Sequence, residues 1–187
     1  MVIPTGQHLS AMPIALVRHL PTDMPAGHCY GRLDLPPGQT GDPAPVVAAL
    51  AGFPGVRLLS SPARRCRALA EALGAAFCLP LSFDARLLEL DFGGWEGLAW
   101  ESVPRTALDA WAADPWSFAP PDGESGAALV ARVRGLADGL TGGTIVVAHG
   151  GPLKVLAALL EGRAVDLLAP AQPMGSVRVV RATRLGE

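Results

Sequence analysis

Two histidines in this chain each stand directly after a short apolar run. Ile14-Ala15-Leu16-Val17 leads into Arg18-His19, and Thr144-Ile145-Val146-Val147-Ala148 leads into His149-Gly150-Gly151-Pro152. An imidazole can act as nucleophile, acid or base near neutral pH, and Arg18 sets a fixed cation beside the first one. Two further polar groups stand at element ends: Arg65, shortly after Ser60-Ser61-Pro62, and Glu89, shortly before the glycine pair Gly93-Gly94. Two arginines and two histidines suit a tetrahedral oxyanion, because guanidinium forks match phosphate oxygens bidentately. A carboxylic acid beside them could protonate a leaving alcohol. Taken singly these residues say little: an isolated histidine is more often hydrogen-bonded structure, and an isolated glutamate is more often a solvated surface acid.

The elements must bring these groups together. Ile14 to Val17 and Thr144 to Ala148 read as strands buried on both faces, as in the middle of a parallel sheet, where ligands bind beyond the carboxyl ends. Val56 to Leu59 is a third strand and Ser176 to Ala182 a closing one. Helices are expected over 46–53, 63–76, 98–113, 125–140 and 153–160. Pro104 must kink or divide the third, and Ser125 caps the fourth, which carries Leu129, Val133, Leu136 and Leu140 on one face. Ser61 and Pro62 read as an N-cap and first-turn pair for the second helix. Arg64, Arg65 and Arg67 then fall in its first turns, where cations oppose the macrodipole, so an anion at that end would give them a reason to be there. Gly150-Gly151 lets the backbone approach a ligand closely, and Pro152 opens a helix whose free amides face the same place. Residues 1–13 read as a frayed lead-in, and Leu20 to Asp34 as a long loop of the kind that usually carries function.

Composition narrows the function. A length of 187 residues suits one domain, 1–187, and a 50% hydrophobic, 17% charged composition excludes a disordered chain. A net charge of −2 with scattered arginines gives no basic stripe for nucleic acid or an anionic membrane. There is no run of about 20 apolar residues for a membrane span, and Met1 to Ser10 lacks the pattern of a signal peptide, so a cytoplasmic protein is expected. Cys29, Cys66 and Cys78 lack CxxC spacing and read as small buried hydrophobes or surface thiols. Trp95, Trp100, Trp111 and Trp116 read as core or lid packing. A metal site from His19, His28, His149 and Glu89 is disfavoured by the two arginines, which would repel a divalent cation.

At these residues the sequence resembles the histidine phosphatase superfamily, the phosphoglycerate-mutase-like proteins. Val17-Arg18-His19 is similar to the family's Arg-His signature, Ser60 to Arg65 to its Ser-Ser-Pro-x-x-Arg, and Leu88 to Gly97 to its Glu-x-x-Phe/Tyr-Gly-x-x-Glu-Gly passage. Asp122 to Ser125 and Val146 to Gly151 resemble its Gly-Glu-Ser helix start and second-histidine strand. The resemblance implies an α/β fold, a three-layer α/β/α sandwich around a mainly parallel sheet. It implies His19, Glu89 and His149 as catalytic residues and Arg18, Arg65, His149, Thr22 and Gly150 as the phosphate-binding set. Attack by His19 would give a phosphohistidine, with Glu89 as general acid and then base, and with neither metal nor cofactor. The partner implied is a small phosphorylated substrate, with a homodimer as a candidate assembly. Cys29 to Asp34 is similar to the Tyr-Gly-x-x-Asp segment of members likened to α-ribazole phosphatase of cobalamin synthesis, which makes α-ribazole 5′-phosphate a candidate substrate and His28 and Tyr30 candidate pocket residues.

Departures from the pattern define the alternatives. Leu20 stands where the family usually has glycine, so a phosphate-binding regulatory module without turnover is one. The mutases' Trp-Asn and longer insertion are missing, which favours a phosphatase over a phosphoglycerate mutase; a phosphohistidine-protein phosphatase is the third alternative.

Overall fold

The computed structural model describes residues 12–182, so all but the last two residues of the expected lead-in lie outside it. Five strands form one sheet: β1 (Ile14–Arg18), β2 (Arg57–Ser60), β3 (Leu81–Phe83), β4 (Thr144–Ala148) and β5 (Val177–Val180), in the order β3-β2-β4-β1-β5. All pairings are parallel except that of β5, which runs antiparallel along β1. The helices are α1 (Ala44–Ala49), α2 (Arg64–Phe77), α3 (Arg105–Ala113), α4 (Gly126–Ala137) and α5 (Gly150–Leu160).

Strand periodicity divides the core in two. Ile14 and Leu16 of β1, with Val146 and Ala148 of β4, face α4 and α5. Ala15 and Val17, with Ile145 and Val147, face α1 and α2. Successive side chains of a strand point to opposite faces, so uninterrupted apolar runs require cover on both sides, and three α/β/α layers supply it. A third cluster, Cys29, Trp95 and Val103 with Phe92, Trp100 and Trp111 against it, roofs the carboxyl side of the sheet, so three of the four tryptophans pack there.

Local differences from expectation have local causes. Pro104 divides the expected 98–113 helix into a 3-10 turn at Trp100–Ser102 and α3, standing itself at the N-cap of α3. The short β3 carries too few residues for a periodic signal; its register against β2, from Leu58 with Leu81 to Ser60 with Phe83, defines it. α2 begins at Arg64 and not at the Ser61-Pro62 pair, because Ala63 at its N-cap is still extended at ψ 139°. Ser61 Oγ still accepts the Ala63 amide at 3.3 Å, just ahead of the helix, and Asp34, from the long loop, accepts the Arg64 amide at 2.8 Å. Ser125 does cap α4, accepting from the Ala128 amide at 3.3 Å.

Candidate active site

Sheet order places three strand ends side by side. Val17 pairs with Val147 and Val147 with Ser60, so the residues that follow β2, β4 and β1 leave the sheet together: Ser61, His149 and His19. The His19 amide donates to Ala148 O at 3.0 Å and the Ser61 amide to Val147 O at 2.9 Å, fixing these exits. The chain leaves β1 towards α1 on one face and β4 into α5 on the other, the strand-end crevice in which open α/β sheets hold ligands.

His19 is 2% exposed. Its Nδ1 lies 2.7 Å from Leu20 O. A carbonyl can only accept, so Nδ1 carries the proton and the lone pair sits on Nε2. Leucine at position 20 does not disturb this: it has no positive φ, supplies the carbonyl, and buries its side chain against the α1 and α2 face. His149 is fully buried, its ring 5.1 Å from that of His19 and inclined at 62°. Arg65 Nε donates to His149 Nδ1 at 3.2 Å, which puts the His149 proton on Nε2, 2.9 Å from Ser61 Oγ. Burial is the first cause that pushes the His19 pKa down to about 3; the Leu20 carbonyl opposes the shift, and Arg65 and Arg18 add to it. His149 is likewise driven well below its ordinary value, by burial and then by Arg65. Both imidazoles are therefore neutral at physiological pH.

The guanidiniums are held by main chain. Arg65, 1% exposed, also donates to Gly31 O at 2.6 Å and Leu33 O at 2.8 Å. Three charge-assisted bonds, about 1.5–3 kcal/mol each, outweigh the roughly 0.3–1 kcal/mol cost of a cation at the start of α2. Gly31 is required there: a Cβ would stand 1.9 Å from Leu90 O. Arg18 donates through Nη1 to Gln172 O at 2.7 Å. Its Nε is buried without a hydrogen-bond partner among the described residues. A Cβ on Gly150 would lie 3.4 Å from Arg18 Cζ, so the guanidinium covers the first residue of α5.

Glu89 meets the same helix end. Its Oε1 accepts from the Gly151 amide at 3.0 Å and the Leu90 amide at 3.0 Å. Behind it, Arg132 of α4 donates to Glu89 O at 3.0 Å and Arg86 O at 2.6 Å while its other edge pairs with Glu124 at 2.7 Å. Glu96 accepts from the Arg32 amide at 2.6 Å and the Phe92 amide at 3.1 Å, tying the Tyr30 segment to the Glu89 segment.

Arg18, Glu89 and Gly150 border a cavity of about 180 Å3, together with Tyr30, Phe92 and Trp111. Tyr30 also lies beneath the Arg65 guanidinium, 5.5 Å from its ring centroid. His28 is placed elsewhere, bridging to Ala99 outside the cavity lining. Thr22 is half-buried on the loop after His19, and its hydroxyl makes no hydrogen bond among the described residues. Five of the expected residues, Arg18, His19, Arg65, His149 and Gly150, thus gather at one strand-end crevice, with Glu89 and Tyr30 adjoining. Sequence reasoning missed the Ser61 contact with His149, the Arg132 clamp behind Glu89, and Lys154, which also borders the cavity. Ser61 and Glu124 stood inside motifs already noted; nothing pointed to Arg132. Cys29 and Cys66 are buried and Cys78 exposed, and burial raises the Cys66 thiol beyond reach of ordinary pH. Among the described residues no helix is long and apolar enough to cross a membrane, and no cluster of three metal-ligating side chains occurs.

Residues 14–186 match the model of the histidine phosphatase superfamily, branch 1. A glucosyl-3-phosphoglycerate phosphatase of Mycolicibacterium vanbaalenii is 33% identical over 170 residues, which is 82% of this chain and 76% of that protein. The native structure of a mycobacterial glucosyl-3-phosphoglycerate phosphatase superposes with a TM-score of 0.77 at 28% identity, covering 90% of this chain and 89% of the other. A structure from Escherichia coli K-12, described provisionally as an α-ribazole-5′-P phosphatase, gives 0.72 at 26% identity, covering 83% of this chain and 82% of the other. With a sheet that sets two neutral histidines beside the buried Arg65 and the partly buried Arg18, and with a family match over nearly its whole length, the chain belongs to the histidine phosphatase superfamily and is a phosphatase.

Proposed function

We propose that the protein is a phosphomonoesterase that works through a phosphohistidine on His19, without metal or cofactor. The observation that carries the reading is the His19 tautomer: the Leu20 carbonyl holds the Nδ1 proton, so a neutral ring offers the Nε2 lone pair beside the buried Arg65 and the partly buried Arg18. Nε2 attacks phosphorus, the bond to the ester oxygen breaks, and Glu89 as a carboxylic acid protonates the departing alkoxide. The resulting Glu89 carboxylate then takes a proton from water, whose oxygen attacks phosphorus as the N–P bond breaks. Inorganic phosphate leaves, and His19 and Glu89 regain their starting forms. Arg18 Nε, Arg65 and the Gly150 end of α5 stabilise the equatorial oxygens. His149 joins them by moving its Nε2 proton from Ser61 to a phosphoryl oxygen. Thr22 joins this set by its place on the loop just after His19, and His28, outside the cavity lining, leaves Tyr30 as the pocket residue.

α-Ribazole 5′-phosphate rests on the Cys29–Asp34 segment and on the Escherichia coli relative, where Phe92 and Trp111 would meet an aromatic base. The glucosyl-3-phosphoglycerate phosphatases offer a sugar-linked phosphoglycerate as a second substrate reading. The test of the mechanism is p-nitrophenyl phosphate turnover with EDTA present, together with acid quenching and alkaline isolation of the enzyme. Turnover unaffected by the chelator, an acid-labile and base-stable phosphoryl group on the wild type, and neither in His19→Ala are expected. Full activity in His19→Ala refutes the proposal.

A further inference from the structure

Glu96 lies near the end of the passage that carries Glu89, and the mechanism above does not use it. It is partly buried, yet among the described residues no lysine or arginine pairs with it; the Arg32 guanidinium goes to Asp91 and Glu124 instead. Its oxygens are taken by main chain. Oε1 accepts the Arg32 amide at 2.6 Å and the Phe92 amide at 3.1 Å, and Oε2 accepts the Leu33 amide. Those bonds satisfy the carboxylate, and what they give the fold is the placement of three amides.

Two of the three belong to the turn that holds Arg65. The Arg32 N–H and the Gly31 C=O are the ends of one planar peptide unit and point in opposite directions. The N–H meets Glu96 at 2.6 Å and the C=O meets Arg65 Nη2 at 2.6 Å, so a single peptide joins carboxylate to guanidinium. Each of the two bonds polarises that peptide in the sense that strengthens the other. Leu33 repeats the pattern, its N–H on Glu96 and its C=O on Arg65 Nη1 at 2.8 Å. Arg65 Nε in turn reaches His149 Nδ1 at 3.2 Å. Glycine at 31 makes the room, since a Cβ there would stand 2.9 Å from Glu96 Oε1. We propose that Glu96 is a positioning residue for Arg65: by fixing the amides of Arg32 and Leu33 it aims the carbonyls of Gly31 and Leu33, and so holds the guanidinium, and the His149 tautomer behind it, where the transition state needs them. The inference rests on the phosphatase reading and adds a residue that acts only through another. Misplacing a charged group by about 1 Å costs about 10²-fold in rate, which is the scale of effect at stake.

The experiment is a double-mutant cycle between Glu96→Gln and Arg65→Lys, read as kcat and KM for p-nitrophenyl phosphate. That phenolate leaves without a proton, so an effect passed through the Phe92 amide to Glu89 stays small. Glutamine keeps the length of the side chain but offers one acceptor oxygen, and its NH2 meets an amide N–H. With Arg65 in place, kcat should fall about 10- to 100-fold while KM stays within about threefold, because a grip on equatorial oxygens counts most in the transition state. With Arg65→Lys, where no fork remains for the two carbonyls to aim, the same change should cost less than about threefold. Glu96→Asp, one methylene short of the amides, should follow the same pattern. An unchanged kcat, a rise in KM alone, equal losses in the two backgrounds, or failure of both Glu96 variants to fold each overturns the proposal. A wild type that does not turn over p-nitrophenyl phosphate overturns the phosphatase reading itself, and this inference with it.

Discussion

Gly151→Ala separates the acid role proposed for Glu89 from everything else in the site. A Cβ built on Gly151 stands 2.3 Å from Glu89 Oε1 and 3.4 Å from Leu129 Cδ2. The second contact is ordinary; the first is about 1 Å too short for carbon against oxygen. A carboxylate at the end of a side chain can yield where a backbone cannot, so Glu89 moves and the fold remains. The move breaks the Gly151 amide bonds to Oε1 and Oε2, now 3.0 and 3.3 Å. Alanine in a helix is favoured over glycine by about 0.5–1 kcal/mol, so thermal stability should hold or rise slightly. General acid catalysis contributes about 10²–10⁴-fold, and an error of about 1 Å in placement costs about 10²-fold. The assay is kcat/KM, which reports the first irreversible step, for an alkyl phosphate and for p-nitrophenyl phosphate, whose phenolate leaves without a proton. The alkyl ester should lose about 100-fold and the aryl ester about 10-fold less than that. An equal loss on both esters refutes the assignment of Glu89 as the acid, and a variant destabilised by more than about 1 kcal/mol refutes the claim that the carboxylate yields.

Two further outcomes follow from the buried network. His19 and His149 are held neutral when folded, His19 at about 3 against 6.5 for the free ring. The unfolded chain therefore binds more protons in that window, so stability is fully present above about pH 6.5 and is lost as pH falls, by about 1.4 kcal/mol per pH unit for each histidine. Urea midpoints should be flat above pH 7 and fall between about 6.5 and 5; His19→Gln should halve that slope, and a flat wild-type profile there contradicts it. Arg132→Ala removes the clamp on Glu89 O and leaves Glu124, 12% exposed, with Arg32 as its remaining cation at 3.4 Å. A loss of about 2–4 kcal/mol is expected by chemical denaturation, with alkyl phosphate turnover reduced and Lys at 132 failing to restore either, because the contacts need a planar fork. Wild-type stability in Arg132→Ala would count against the clamp.

Much of this was legible in the chain. Apolar runs such as Ile14 to Val17 and Thr144 to Ala148 require burial on both faces whatever their partners, so a covered, mainly parallel sheet was legible in local pattern, the three layers were what the family resemblance implied, and His19 and His149 stood out as polar residues at strand ends. Ser125 as a cap and Pro104 as a break were equally local. Which strands are neighbours was not local. The order β2-β4-β1 sets Ser61, His149 and His19 in a row, although they lie 42 to 130 positions apart in the chain. The tautomers came only from three dimensions, because the Leu20 carbonyl and Arg65 Nε had to be located before either proton could be placed. The same holds for Asp34 accepting the Arg64 amide at the start of α2, for His28 lying outside the cavity lining, and for Lys154 bordering it. Sequence determines what each segment must bury and where it must stop, since those are short-range free energies. Hydrogen bonds and charge pairs between distant segments depend on distances of a few ångströms, and folding alone fixes those.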